Sequence, residues 1–268
     1  QYYYVALDPR SGNGKVIGGA QDNETTRNIS GTGVDYEMVL SGDGCSVGLS
    51  NEISGNTYEY VSWQNGDLFR RNSSSPAHTG TFIRPSTATD GLFVTLFHLD
   101  PDNTQNIYHV GATALFRNTS ASTATTLNWT EMTGVETGIS AGGASAITAI
   151  SSSRGTYNAA TSSLFIGSDN GTLLRLDNPQ NAAAATAPVD ITGASFPFAY
   201  ISSISVNPRN DDTVLVTFSN YSTQSIWWTG NANSATPTWQ LVEGNLTLPS
   251  VRSSVIAVTN AGVEYFVG

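Results

Sequence analysis

Phe97-His98-Leu99-Asp100-Pro101, followed five residues later by Ile107-Tyr108-His109-Val110-Gly111, is an apolar run that ends in a proline turn and a second apolar run that returns from it. The same phrase occurs as Val5-Ala6-Leu7-Asp8-Pro9 before Val16-Ile17-Gly18-Gly19, and as Ile204-Ser205-Val206-Asn207-Pro208 before Val214-Leu215-Val216-Thr217-Phe218. Weaker copies run through Val47-Gly48-Leu49-Ser50, Ile147-Thr148-Ala149-Ile150 and Val255-Ile256-Ala257-Val258. The turn residues Asp8, Ser50, Asp100, Ser153, Asn207 and Thr259 are separated by 42, 50, 53, 54 and 52 residues. A period of roughly fifty belongs to arrays of small sheets.

Each period holds a third apolar segment after a turn: Leu68-Phe69-Arg70, Ala114-Leu115-Phe116-Arg117, Leu173-Leu174-Arg175 and Ile226-Trp227-Trp228. A fourth segment is carried by Tyr36-Glu37-Met38-Val39, Asn128-Trp129-Thr130-Glu131-Met132 and Thr238-Trp239-Gln240-Leu241-Val242. Four short strands per period is the arithmetic of a propeller blade. The first segments read as continuous runs of small and β-branched residues, as expected of strands buried on both faces. Asn65-Gly66, Asn170-Gly171 and Ala261-Gly262 fall where hairpins need positive φ. No segment carries a sustained helical period, and Ala182 to Ala185, between Pro179 and Pro188, reads as a loop with at most one helical turn. The expected fold is an all-β propeller in one domain over 1–268, with blades at about 1–43, 44–91, 92–143, 144–198 and 199–250 and a partial blade at 251–268.

Composition narrows the function classes. A chain that is 39% hydrophobic and 10% aromatic has enough apolar mass for a core. Lys15 is the single lysine, and the formal charge of −10 repels phosphate backbones and anionic lipid, so no nucleic-acid partner is expected. No run of eighteen apolar residues exists, and no direct membrane insertion is expected. Cys45, the one cysteine, is expected to be buried, since it has no disulfide partner in the chain. Gln1 is not a translation start, so a processed or partial chain is expected. Asn-x-Ser/Thr sequons occur at Asn23, Asn28, Asn72, Asn118, Asn128, Asn170, Asn220 and Asn245; in a chain this rich in Asn, Ser and Thr several arise by chance.

These residues resemble the BNR-repeat, sortilin-like propellers of secreted bacterial proteins, within the sialidase and xyloglucanase-like superfamily. Gly18-Gly19-Ala20-Gln21-Asp22-Asn23 is similar to the family's Gly-Gly-Thr-Gln-Asp-Asn-Gly segment, and Ser41-Gly42-Asp43-Gly44 to the Gly-Gly-Asp-Gly that follows it. Trp239 to Pro249 is similar to the linker into the next blade, and the likeness spans essentially the whole chain. The family's Asp-box, Ser-x-Asp-x-Gly-x-Thr-Trp, survives at Asn118 to Trp129 and Asn231 to Trp239 only as its Trp. The resemblance implies a secreted or cell-surface location, with export of the type IX kind found in Bacteroidetes. Such propellers close with more blades than the five and a fraction found here, so the remaining blades are expected from the same longer chain or from another polypeptide.

Asp22 and Asp43 are the candidate catalytic pair. Both follow glycine-rich turns, and two carboxylates about 5 to 10 Å apart run glycoside hydrolysis as acid and base or nucleophile. The same aspartates also read as turn caps. Gln21, Asn23, Trp63, Trp227 and Trp228 are candidate ligand-binding residues, the indoles as flat faces for sugar rings and the amides for hydroxyls. Trp227 and Trp228 are adjacent in one strand and must point to opposite faces. Trp129 and Trp239 hold the repeat's packing position. Arg70, Arg117 and Arg175, and Arg27 with them, recur once per period, which marks them as structural and not as one substrate-binding cluster. His78, His98 and His109 lack metal-ligand spacing, and no metal is expected there. Asp100-Pro101-Asp102-Asn103 offers oxygen ligands for Ca²⁺ near Asp100 and Asp102, against an ordinary turn; otherwise no cofactor is expected. No nucleophile elbow, P-loop or dinucleotide fingerprint is present, and Gly12-Asn13-Gly14 is a turn.

The preferred expectation is therefore a non-enzymatic binding or scaffolding propeller module that recognises polysaccharide or another surface protein. A xyloglucanase-like or sialidase-like glycoside hydrolase is the alternative. A sortilin-like peptide-binding domain is the second.

Overall fold

The computed structural model describes residues 2–10, 12–28, 35–246 and 250–268. Sheet one contains β1 (Tyr2–Leu7), β2 (Val16–Ala20), β3 (Thr25–Asn28) and β4 (Tyr36–Leu40). Sheet two contains β5 (Val47–Leu49), β6 (Tyr58–Ser62), β7 (Leu68–Asn72) and β8 (Thr81–Phe82). Sheet three contains β9 (Phe97–Leu99), β10 (Ile107–Gly111), β11 (Ala114–Asn118) and β12 (Thr130–Glu131). Sheet four contains β13 (Ile147–Ser152), β14 (Ser163–Ser168), β15 (Leu173–Asp177) and β16 (Val189–Asp190). Sheet five contains β17 (Ile201–Asn207), β18 (Asn210–Phe218), β19 (Ile226–Thr229) and β20 (Gln240–Leu241). The two-stranded sheet six pairs β21 (Ser254–Thr259) with β22 (Gly262–Val267).

The fold is thus all-β, and each sheet is an antiparallel meander whose neighbours are consecutive in sequence. The chain divides into two compact units, Gln1–Glu131 and Met132–Gly268. Within the first, β5 packs against β1 and β9; within the second, β17 packs against β13 and β21.

The first hairpin of each sheet explains the repeated Asp/Asn-Pro phrase. Asp8 Oδ1 accepts the Arg10 amide at 2.9 Å, Asp100 Oδ1 accepts the Asp102 amide at 3.0 Å, and Asn207 Oδ1 accepts the Arg209 amide at 2.9 Å. Each is an Asx turn, in which the side chain stands in for a backbone carbonyl while proline presets the next φ. Ser50 and Ser153 close the same hairpin through the backbone, their amides donating to Tyr58 and Ser163 carbonyls at 2.9 Å.

Side chains on alternating faces build a core on each side of a sheet. In sheet five Val216 and Trp227 face sheet four, with Phe165, Leu173 and Ile201, while Leu215 and Ile226 face sheet six, with Val251 and Ile256. Ile17, Val39 and Val61 fill the space between sheets one and two, and Tyr60, Leu68, Phe97 and Ile107 that between sheets two and three. Each such side chain contributes about 1.5–3 kcal/mol on burial. The expectation of doubly buried first strands fails at the two ends: Leu7 of β1 is 71% exposed and Val255 of β21 is 54% exposed, because among the described residues no sheet covers those faces.

Two side-chain hydrogen bonds of opposite direction join sheet two to sheet three, and two more join sheet four to sheet five. Arg70 on β7 donates to the Ala124 carbonyl at 2.9 Å in the turn of sheet three, and Trp129 of sheet three donates back to the Ile83 carbonyl after β8 at 2.9 Å. Arg175 on β15 donates to Ala232 and Ser234 carbonyls at 2.6 and 2.8 Å in the turn of sheet five, and Trp239 donates back to the Ile191 carbonyl at 2.9 Å. Arg27 on β3 likewise reaches the Ser73 carbonyl of sheet two at 2.8 Å, and joins Glu59 and Arg71 in a buried ion cluster. Asparagines fold the turns that would be Asp-boxes: Asn118 Oδ1 accepts Ser120 N–H at 2.7 Å, and Asn231 Oδ1 accepts Thr238 N–H at 2.9 Å. Three sequon asparagines, Asn28, Asn118 and Asn170, are buried with their amide groups committed to such bonds.

One element departs from the sequence reading. A helix, α1 (Thr133–Ala141), lies against β15. Its two glycines and β-branched Thr133, Val135, Thr137 and Ile139 hide it from propensity. Packing sustains it: Val135 and Ile139, four apart, are buried, and a Cβ on Gly134 would stand 2.1 Å from the Thr186 carbonyl oxygen. Ala182 to Ala185 is non-helical, and the Ala184 carbonyl accepts the Gly134 amide at 3.0 Å. The outermost strands are also shorter than expected, Thr130–Glu131 and Gln240–Leu241.

His109 on β10 is fully buried, its ring 6.2 Å from Trp129 and 6.4 Å from Phe116, and neither nitrogen has a hydrogen-bond partner among the described residues. Burial, with a smaller contribution from the Arg84 charge, pushes its pKa down to about 3. The unfolded imidazole takes its proton near pH 6.5, so between pH 6.5 and 3 the unfolded chain binds the extra proton and stability falls as pH drops. Urea unfolding at pH 7 and pH 4 should show His109→Phe losing less stability on acidification than the parent, by on the order of 3 kcal/mol. Equal losses in the two proteins would contradict this.

Candidate functional site

Gln21, Asp22, Asn23, Asp43 and Trp63 come together at one end of sheets one and two, in the loops after β2, β4 and β6. Glycine makes this possible. A Cβ on Gly19 would stand 2.1 Å from the Cys45 carbonyl oxygen, and one on Gly44 would stand 2.3 Å from the Glu24 carbonyl oxygen. Backbone therefore lies directly on backbone, with the Gly44 amide donating to Ala20 at 3.1 Å and the Ala20 amide to Glu24 at 3.0 Å.

Asp22 has φ +57° and Glu24 φ +61°, so the loop turns back on itself and aims the Asp22 amide at Asp43. Asp43 Oδ1 accepts it at 2.7 Å, and the Asp43 amide donates to Gln64 Oε1 at 3.3 Å. The Asp43 carboxylate thus caps a turn. Asn23 binds its own loop through the Gln21 carbonyl at 3.2 Å, and the Gln21 side chain accepts the Tyr3 hydroxyl. The Tyr3 pKa is raised by burial and by Cys45, Asp43 and Asp22 around it, so the phenol keeps its proton. The Asp22 side chain is exposed and is the acidic group of this cluster turned to solvent.

Trp63 is partly covered: its ring lies 4.5 Å from Phe69, and a Cβ on Gly42 would stand 3.1 Å from it. Arg84 ties the neighbouring loops, pairing with Asp90 at 2.7 Å and Asp67 at 3.3 Å and donating to the Ala88 carbonyl at 2.9 Å. Arg84, Glu24 and Tyr3 carried no signal in the sequence, because their positions depend on chain segments that meet only in the fold. The Glu24 Oε2 and Trp63 Nε1 atoms are buried here without hydrogen-bond partners among the described residues.

The other two indoles belong to the second unit. Trp227 is 4% exposed, its ring 5.4 Å from Phe196 and its N–H bonded to the Gln224 carbonyl at 2.9 Å. It offers no face on which a sugar could stack. Trp228, on the opposite face of β19, donates to the Tyr265 hydroxyl at 3.3 Å and lines a groove beside sheet six. At the expected calcium position, Asp100 Oδ1 accepts the amides of Asp102 and Asn103, the turn geometry that Asp8 and Asn207 share. Among the described residues no group of three or more His, Cys, Asp or Glu side chains is placed to hold a metal ion. Arg27, Arg70 and Arg175 are each held by the turn of the next sheet.

No model of a known family matches the chain, and no curated protein does.

Gly44→Ala should lower stability by more than about 2 kcal/mol in urea unfolding, since backbone must move, whereas Asp43→Asn, which keeps an acceptor oxygen, should cost about 1 kcal/mol or less. Equal effects would contradict the geometry. Cys45 is fully buried, and desolvation pushes its pKa up to about 11. An aromatic disulfide reagent at pH 7.5 should leave it unmodified in the native protein and label one thiol per chain in urea.

Proposed function

We propose that this chain is a propeller-type module of a secreted or cell-surface protein, with a binding or spacing role and no catalytic one. The repeated four-stranded meander, the packing of first strands within each unit and the resemblance to BNR-repeat, sortilin-like propellers support the architecture. The observation that supports the non-catalytic reading is that Asp43 Oδ1 accepts the Asp22 amide at 2.7 Å, the bond of a turn cap. In a glycosidase pair each carboxyl group faces the scissile bond. Asp22, Asn23 and the open edge of Trp63 remain as a polar patch beside an aromatic ring, suited to polysaccharide or to a polar protein surface.

A second reading, a glycoside hydrolase of the xyloglucanase-like or sialidase-like kind, draws on the placement of Asp22 and Asp43 at the same end of the sheets. Peptide capture of the sortilin-like kind is the third. Reducing-sugar release over a polysaccharide panel separates the first two. The module reading expects saturable binding on a glycan or surface-protein array with no turnover; turnover abolished by Asp43→Asn would establish the hydrolase.

A further inference from the structure

Asn-Gly occurs three times in the chain, at Asn13-Gly14, Asn65-Gly66 and Asn170-Gly171. The pair carries a latent reaction, because a glycine has no side chain to keep its amide nitrogen away from the carbonyl carbon of the asparagine side chain before it. Two conditions decide whether a folded chain lets that nitrogen attack. The asparagine side chain must be able to swing over the following peptide, and the glycine N–H must be open to water that takes its proton.

Neither condition holds at Asn170. The residue is buried, its Oδ1 accepts the Ser168 and Thr172 hydroxyls at 2.8 and 2.9 Å, and its Nδ2 donates to the Gly142 carbonyl at 2.9 Å. Gly171 is packed so closely that a Cβ would stand 2.5 Å from the Pro197 carbonyl oxygen. Asn65 is exposed, yet the nitrogen that would attack it is tied: Gly66 is buried and its amide donates to Thr95 Oγ1 at 2.7 Å. Asn65 itself is held at φ +62°, with its amide on the Phe93 carbonyl at 3.1 Å. The turn between β1 and β2 is different. Gly14 is exposed, and its amide meets no acceptor among the described residues. Asn13 Oδ1 accepts the Lys15 amide at 3.3 Å, a long bond of the Asx-turn kind that lays the side chain along the Gly14 peptide. Asn13, Arg10 and Lys15 line one cavity of about 300 Å³. Asp8 pairs with Arg10 at 2.5 Å, whereas Lys15 makes no ion pair among the described residues. Its charge favours the deprotonated form of a nearby nitrogen.

We propose that Asn13 is a site of spontaneous covalent modification in the folded protein, deamidating through a cyclic imide with Gly14, while the fold protects Asn65 and Asn170 from the same reaction. The Gly14 nitrogen gives up its proton and bonds to Asn13 Cγ; the Cγ–Nδ2 bond breaks, and the side-chain amide leaves with that proton as ammonia. Water then adds to one of the two imide carbonyls. Opening on one side gives aspartate, and opening on the other gives isoaspartate, whose main chain runs through Cγ and is one methylene longer. Either product sets a carboxylate among the residues that line the cavity with Lys15 and Arg10. The isoaspartate product also lengthens the turn that joins β1 to β2. The proposal rests on the geometry of three turns and is independent of what the module binds.

The test incubates the 268-residue protein at mildly alkaline pH, native or in urea, digests it at pH 6 to halt the reaction, and follows each Asn-Gly peptide by mass spectrometry. Trypsin releases residues 11–15 as one peptide, cut after Arg10 and Lys15. In the native protein the Asn13 peptide should gain the mass of deamidation at least tenfold faster than the Asn65 and Asn170 peptides, and an isoaspartyl methyltransferase should label the same peptide. In urea the three rates should converge, because the fold and not the dipeptide sets the difference. Gly14→Val, which puts a branched side chain beside the attacking nitrogen, should slow the native reaction at Asn13 at least tenfold, with circular dichroism to check the fold. A smaller ratio in the native protein, or the same ratio in urea, would overturn the proposal. So would an unchanged rate at Asn13 in a folded Gly14→Val protein.

Discussion

Between sheets two and three, and again between sheets four and five, the structure places a side-chain hydrogen bond in each direction. An arginine on the third strand reaches forward to carbonyls in the next sheet's outer turn, and a tryptophan from that next sheet reaches back to the carbonyl just after the fourth strand. All the acceptors are backbone groups in irregular segments, where no ladder would otherwise satisfy them. A buried carbonyl without a donor costs about 1–3 kcal/mol. In these two pairs of sheets the donors tie the outer turns together beside the apolar core that fills the space between the sheets.

The same economy governs the loops of sheets one and two. Gly19 and Gly44 let two backbone segments touch, and that contact aims the Asp22 amide at Asp43. A motif that resembles a catalytic signature in sequence is, in the fold, a staple between two loops. What stays open to solvent is a short polar rim around Asp22 and Asn23.

The repeat was legible because its signals are local. Asp-Pro and Asn-Pro turns close on themselves within three residues, and doubly covered strands are written as unbroken apolar runs. Recurrence alone marked Arg70 and Arg175 as structural. Helix α1 was not legible, since its sequence favours no helix and its stability comes from sheet four. Outer strands of two residues, such as Thr81–Phe82 and Val189–Asp190, are too short to carry a period. Parity placed Trp227 and Trp228 on opposite faces, yet only the neighbouring sheet decides that Trp227 is the buried one. The Asp22–Asp43 contact joins residues 21 apart through two glycines, and no spacing rule encodes it.

A double-mutant cycle on Arg175→Met and Trp239→Phe, read by urea unfolding, tests the paired inter-sheet bonds most directly. The account predicts that each single change costs about 1–3 kcal/mol and that the two are coupled by at least about 0.5 kcal/mol, because they hold one interface between sheets four and five. Single changes within about 0.5 kcal/mol of the parent, or strict additivity, would contradict it.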